Sequence, residues 1–183
     1  MKIANRMENL SPSVTMAITA LARELKAQGK DILSFSAGEP DFDTPEISKQ
    51  AAIKAINDGQ TKYTAVEGII ATKQAIINKL KKDHNLDYKL DNILISNGAK
   101  HSLFNLFQVL VEEGDEVIIP APYWVTYPEQ VKFSDGVPVF IDTDDSTEFK
   151  ITPEQLKAVI TPKTKILLLN TPSNPTGSVY TKE

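Results

Sequence analysis

Cysteine is absent from this 183-residue chain, which removes disulfides, thiolate metal sites and cysteine nucleophiles together. Histidine is scarce, and His84 and His101 are too few to build a histidine-based metal site. No uninterrupted apolar run approaches the roughly 18–20 residues that a membrane-spanning helix needs. The first residues, Met1 to Asn9, lack the apolar core of a signal peptide. Positive charge is not in excess either. The 20 Lys and Arg stand against 24 Asp and Glu, for a net charge of −4 and a pI near 5.3. That balance argues against an electrostatic grip on nucleic acid or on an anionic membrane. What remains is an ordinary globular composition, 41% hydrophobic and 24% charged, with length for one domain or one domain plus a fragment. A cytoplasmic protein is the expectation.

Along the chain, Ser11-Pro12 reads as a helix start, with Val14, Ile18, Leu21 and Leu25 on one face and Gly29 at the end. Ile32 to Ser36 alternates like a short strand and runs into Ala37–Pro45, a loop dense in Gly, Pro and Asp. Thr44-Pro45 repeats the cap-then-proline signal for a helix reaching Gly59. A longer helix is predicted from about Gly68 to His84. From Asn92 the pattern becomes regular. Short apolar runs at Ile93–Ile95, Val117–Ile119, Val137–Ile141 and Ile166–Leu169 predict strands. Helical stretches separate them: Ala99–Glu112, a weaker one near Glu129–Ser134, and Thr152–Ile160 with a capping box and a proline in its first turn. Apolar strands alternating with helices predict an α/β fold whose parallel sheet is covered on both faces. Thr181-Lys182-Glu183 reads as a helix cap and first turn, so the expectation is a truncated piece of something longer.

The chemistry gathers at three loops. Ser96-Asn97-Gly98 links a strand signal to the helix that follows, and the first N–H groups of a helix form a ready anion site. Pro120-Ala121-Pro122-Tyr123-Trp124 follows the second strand signal, and its prolines oppose helix or ladder while presenting two aromatics. Asn170-Thr171-Pro172-Ser173-Asn174-Pro175-Thr176-Gly177 follows the last. Ligands of parallel sheets bind beyond the carboxyl ends of the strands, where all three loops should open. An anion cradle, a flat aromatic surface and side-chain amides suit a planar heteroaromatic phosphate. Each part also has a plainer reading. Tyr123 and Trp124 can cap the core, Asn170 and Asn174 can satisfy their own loop, and Lys100 and His101 can be solvated helix residues.

Five motifs, taken in order, add what spacing cannot. They are Ser34–Phe42 (Ser-Phe-Ser-Ala-Gly-Glu-Pro-Asp-Phe), Lys62-Tyr63-Thr64, Asn97-Gly98-Ala99-Lys100, Pro122-Tyr123-Trp124 and Asn170–Gly177. Together the chain resembles the class I aminotransferases, the fold-type I pyridoxal-phosphate enzymes, with its nearest likeness to the bacterial aspartate aminotransferases. The resemblance covers essentially the whole chain. It implies a three-layer α/β/α large domain with a mainly parallel sheet, incomplete here over residues 45–183. Residues 1–44 would be an N-terminal arm and part of the small domain.

The resemblance also implies roles. Backbone N–H groups around Gly98, Ala99 and Lys100 would hold the phosphate of pyridoxal 5′-phosphate. Trp124 would stack on its pyridine ring and lie near the substrate carboxylate. Asn174 would bond the ring hydroxyl and also approach that carboxylate. Gly38 would approach the substrate through its backbone. Tyr63 would reach the phosphate of a neighbouring subunit, so a homodimer with shared sites is implied. The implied activity is transfer of an amino group between an amino acid, aspartate or glutamate, and a 2-oxo acid.

Part of that site is not here. The family's Schiff-base lysine stands in a Ser-Lys motif well beyond the Asn-Pro-x-Gly loop, and no such motif follows Gly177 in this chain. The aspartate that pairs with the pyridine nitrogen and the carboxylate-binding arginines are likewise expected downstream. No catalytic residue is therefore assigned, and the chain alone is expected to be inactive. Two alternatives stay open: an aminotransferase for aromatic, branched or alanine donors, and a non-catalytic cofactor-binding remnant or regulator module.

Overall fold

The computed structural model of the protein describes residues 2–35 and 38–182. They fall into two compact units, one of residues 2–17 with 99–182 and the other of residues 18–35 with 38–98.

The first unit is built on three parallel strands, β1 (Glu116–Ala121), β2 (Val137–Asp142) and β3 (Thr164–Leu167), in the order β2-β1-β3. Central β1 carries Val117, Ile118 and Ile119, each 0% exposed, because a middle strand of a parallel sheet is covered on both faces. Val117 and Ile119 point to one face. There they pack with Phe107 and Val111 at the end of helix α4 (Ala99–Leu110) and with Tyr127 and Val131 of α5 (Thr126–Phe133). Helix α6 (Pro153–Val159) follows β2 and carries the predicted capping box. The Gln155 N–H donates to Thr152 Oγ1 at 3.2 Å, and the Thr152 N–H donates to Gln155 Oε1 at 2.9 Å. This is the α/β architecture with a parallel sheet that the spacing predicts.

Local boundaries differ in informative ways. Pro120 lies inside β1, not in a loop. Ile118 directs its carbonyl to Leu168 at 3.0 Å, so residue 120 faces the same neighbour, where the β3 ladder has ended and no donor is needed. Helix α5 starts at Thr126, earlier than the expected 129, since Pro128 falls in a first turn whose N–H groups have no intrahelical acceptor. Helix α1 (Val14–Ala27) is capped by Ser13, whose Oγ accepts the Met16 N–H at 3.3 Å, and not by Ser11. The Ser11 N–H donates instead to Glu129 Oε2 at 2.7 Å. Thr181 and Lys182 are not helical, and Glu183 lies outside the described residues.

The second unit contains most of α1 together with α2 (Glu46–Asn57) and α3 (Ile70–His84), and no strand among its described residues. Two strand expectations fail there. Ile32–Phe35 has no ladder partner, leaves Leu33 and Phe35 exposed, and its last expected residue, Ser36, is outside the described set. Ile93–Ile95 is extended at Ile93 (φ −117°, ψ 125°) yet joins no sheet. Apolar composition sets an extended backbone, but a strand also needs a neighbour to take its hydrogen bonds. The segment is held instead by two bonds outside any ladder, from the Ile93 N–H to the Leu90 carbonyl at 3.2 Å and from the Ile95 N–H to the Glu67 carbonyl at 3.0 Å.

Candidate functional site

Gly98 closes the turn before α4 with φ +83°, a conformation that costs glycine little and other residues more. Its N–H donates back to the Ser96 carbonyl at 2.8 Å. The N–H groups of Ala99 and Lys100, the first residues of α4, stand where no acceptor within the helix reaches them.

The irregular chain after β1 brings the aromatics to the same place. The Tyr123 ring stacks on Phe140 of β2, with centroids 5.0 Å apart and planes 16° apart. Trp124 is half-buried and meets Tyr127 edge-on, at 5.5 Å and 86°. The Lys100 ammonium lies 4.8 Å from the Trp124 ring centroid, a cation–π distance. Thus two residues that stand 24 positions apart in the sequence meet at the carboxyl edge of β1. Burial also pushes the Tyr127 phenol above its ordinary pKa, so it stays neutral.

The third loop contributes more modestly. Asn170 accepts the Asn174 N–H through Oδ1 at 2.8 Å, which is the loop-satisfying role open to it from the sequence. The side-chain amide of Asn174 is exposed and has no hydrogen-bond partner among the described residues. A cleft at the carboxyl ends of β1 and β3 is lined by Ile119, Tyr123, Tyr127, Asn170, Ser173 and Asn174. Asn174 and the aromatic loop therefore share one edge. Gly38 and Tyr63 belong to the other unit. Gly38 is exposed with open space around its α-carbon, and the Tyr63 ring is fully exposed.

One residue went unnoticed in the sequence. Gln130 of α5 is only 7% exposed, and its Nε2 donates to the Lys100 carbonyl at 2.8 Å. A lone glutamine in a weak helical pattern carries no signal that would have found it.

Among the described residues no cluster of metal-ligating side chains occurs, and no helix is long and apolar enough to cross a membrane. The donor set is instead a helix amino end, a nearby ammonium and an indole face. It fits a ligand with an anionic end and a flat ring. The molecule is an α/β protein that collects binding groups at the carboxyl edge of a parallel sheet. More narrowly, the chain belongs to the aminotransferase class I and II family, which matches residues 30–183.

Individual relatives agree. The chain is 56% identical over its full length to an aspartate aminotransferase of Geobacillus stearothermophilus, covering 47% of that protein. It is 57% identical to one of Bacillus sp. (strain YM-2), over 99% of this chain and 46% of the relative. The solved structure of the aspartate aminotransferase of Thermus thermophilus with maleate superposes on all of it, at a TM-score of 0.96 and 43% identity, with 48% of that chain covered. The chain thus spans about half the length of the curated relatives it matches.

Proposed function

We propose that this chain supplies the phosphate-binding and ring-stacking half of a pyridoxal-phosphate site in an aspartate aminotransferase. The observation that carries the reading is the meeting of Lys100 and Trp124, which puts a helix amino end and an indole face side by side. In this reading the Ala99 and Lys100 N–H groups, with the turn at Gly98, bind the cofactor phosphate. The α4 dipole adds to their hold. Trp124 stacks on the ring and orients it, while the Asn174 amide bonds the ring hydroxyl without adding a charge. Gly38 approaches the substrate through its own backbone, and Tyr63 reaches the cofactor phosphate of a second subunit in a homodimer. When bound, the cofactor supplies an electron sink for the carbanion formed beside the amino nitrogen.

The overall reaction proposed is exchange of an amino group between aspartate or glutamate and a 2-oxo acid, in the cytoplasm. Residues 1–44 are proposed as arm and part of the small domain, and 45–183 as the first part of the large domain. The test is amino transfer by the purified full-length protein from aspartate to 2-oxoglutarate, run beside alanine, leucine and tyrosine as donors. Preference for aspartate supports the reading. A clear preference for another donor moves the specificity, and no transfer from any donor removes the enzyme.

A further inference from the structure

The α4–α5 contact contains a hydrogen bond that structural need does not explain. The Lys100 carbonyl lies in the first turn of α4 and already accepts from within the helix, four residues on. It nevertheless receives a second bond from Gln130 Nε2. Making that bond leaves Gln130 Oε1 buried with no partner, the one such side-chain atom among the described residues. A buried acceptor without a partner is costly to keep, and an apolar side chain of the same shape would avoid that cost. The arrangement therefore calls for a reason beyond stability.

The position of Gln130 offers one. It sits one turn into α5, and α5 is tied directly to Trp124. The Tyr127 N–H donates to the Trp124 carbonyl at 3.0 Å, and the Tyr127 ring packs edge-on against the indole. Trp124 and α5 thus form one piece, while Lys100 and the amino end of α4 form another. Gln130 is the polar link that joins the second piece to the first near its amino end. A second link, Gln108 Nε2 to Ser134 Oγ at 2.7 Å, lies two turns further along α4.

We propose that Gln130 is a positioning residue for the cofactor site: by holding the Lys100 carbonyl from α5, it sets the α4 amino end at a fixed distance and angle from the Trp124 ring. This inference rests on the pyridoxal-phosphate reading above. A ligand with a phosphate at one end and a ring at the other gains from both contacts only if their separation matches its own. Loosening the link costs simultaneous binding, not either contact alone.

The experiment compares dissociation constants for pyridoxal 5′-phosphate and for pyridoxal, by equilibrium dialysis on the purified full-length protein. Their ratio, the advantage given by the phosphate, cancels whatever the two ligands share. Gln130→Met is expected to lower that ratio about tenfold, the worth of one well-placed hydrogen bond, while the thermal midpoint holds or rises. Gln108→Met is expected to lower the midpoint and leave the ratio unchanged. If Gln130→Met does not fold, Gln130→Leu removes the donor with a smaller apolar side chain and gives the same readout. An unchanged ratio in the Gln130 variant, or equal weakening of both ligands with a falling midpoint, overturns the positioning role. A wild-type protein that shows no phosphate advantage overturns the cofactor reading, and this inference with it.

Discussion

A Cβ placed on Gly68 would lie 2.3 Å from Ile95 Cγ1, closer than any real contact. The neighbouring Glu67 carbonyl holds the Ile95 N–H, so the chain before α3 and the chain before the 96–98 turn run in direct backbone contact. Gly68 also has φ +102°. Gly68→Ala therefore combines a disfavoured backbone with a steric clash, and a loss of about 2–4 kcal/mol in stability is expected. Denaturant unfolding measures it, and a loss near zero would show that the contact relaxes freely.

Trp124→Ala removes the proposed stacking surface and the partner of both Tyr127 and Lys100. Turnover and cofactor affinity of the full-length protein are expected to fall together, by at least tenfold in affinity, the worth of one aromatic contact. Unchanged kinetics would reduce Trp124 to a packing residue.

Thr152 tests the capping of α6. Thr152→Ala abolishes the acceptor for the Gln155 N–H and should cost about 1 kcal/mol, whereas Thr152→Ser should cost little. Equal losses in the two variants would shift the effect from the hydroxyl to the lost methyl group.

Asp115 provides a pH test. Its Oδ2 accepts from the Glu112 N–H and the Lys165 ammonium, each at 2.9 Å. The Glu112 bond first and Lys165 second hold its carboxyl below the ordinary range, and Asp115 in turn raises Lys165. A depressed carboxyl contributes stability above its unfolded pKa and loses that contribution as pH falls through the folded one. Asp115→Asn should therefore be the less stable at neutral pH, with the gap to wild type closing below the ordinary carboxylate range. The partner Lys165 is exposed and the pair is screened by water, so the gap is small. A gap that widens on acidification would reverse the assignment.

The 183-residue chain itself is expected to bind added pyridoxal phosphate weakly, with no borohydride-trappable adduct at any single lysine. Mass spectrometry after reduction decides this. A stoichiometric adduct at one position, Lys100 included, would mean that the nucleophile is already present.

What could be read in advance follows a physical line. Val117–Ile119 is apolar on both faces and became the buried central strand, because burial of a parallel strand leaves a continuous signature. Thr152 and Gln155 were legible because a capping box is local. Ile93–Ile95 has the same composition as a strand, yet pairing is decided by distant residues, and the segment stays outside the sheet. At the site, Gly98 and Trp124 could be singled out from their loops. The Lys100–Trp124 contact and the Gln130 link could not, since both depend on how α4 and α5 pack.

Trp124 is also the only indole in the chain. Light absorbed at the red edge of the protein's spectrum is taken up at the one ring that Lys100 and Tyr127 touch. Any displacement of that ammonium, or arrival of a flat ligand on the ring, alters a single emitter without background. The chain carries a built-in optical gauge at its own candidate site.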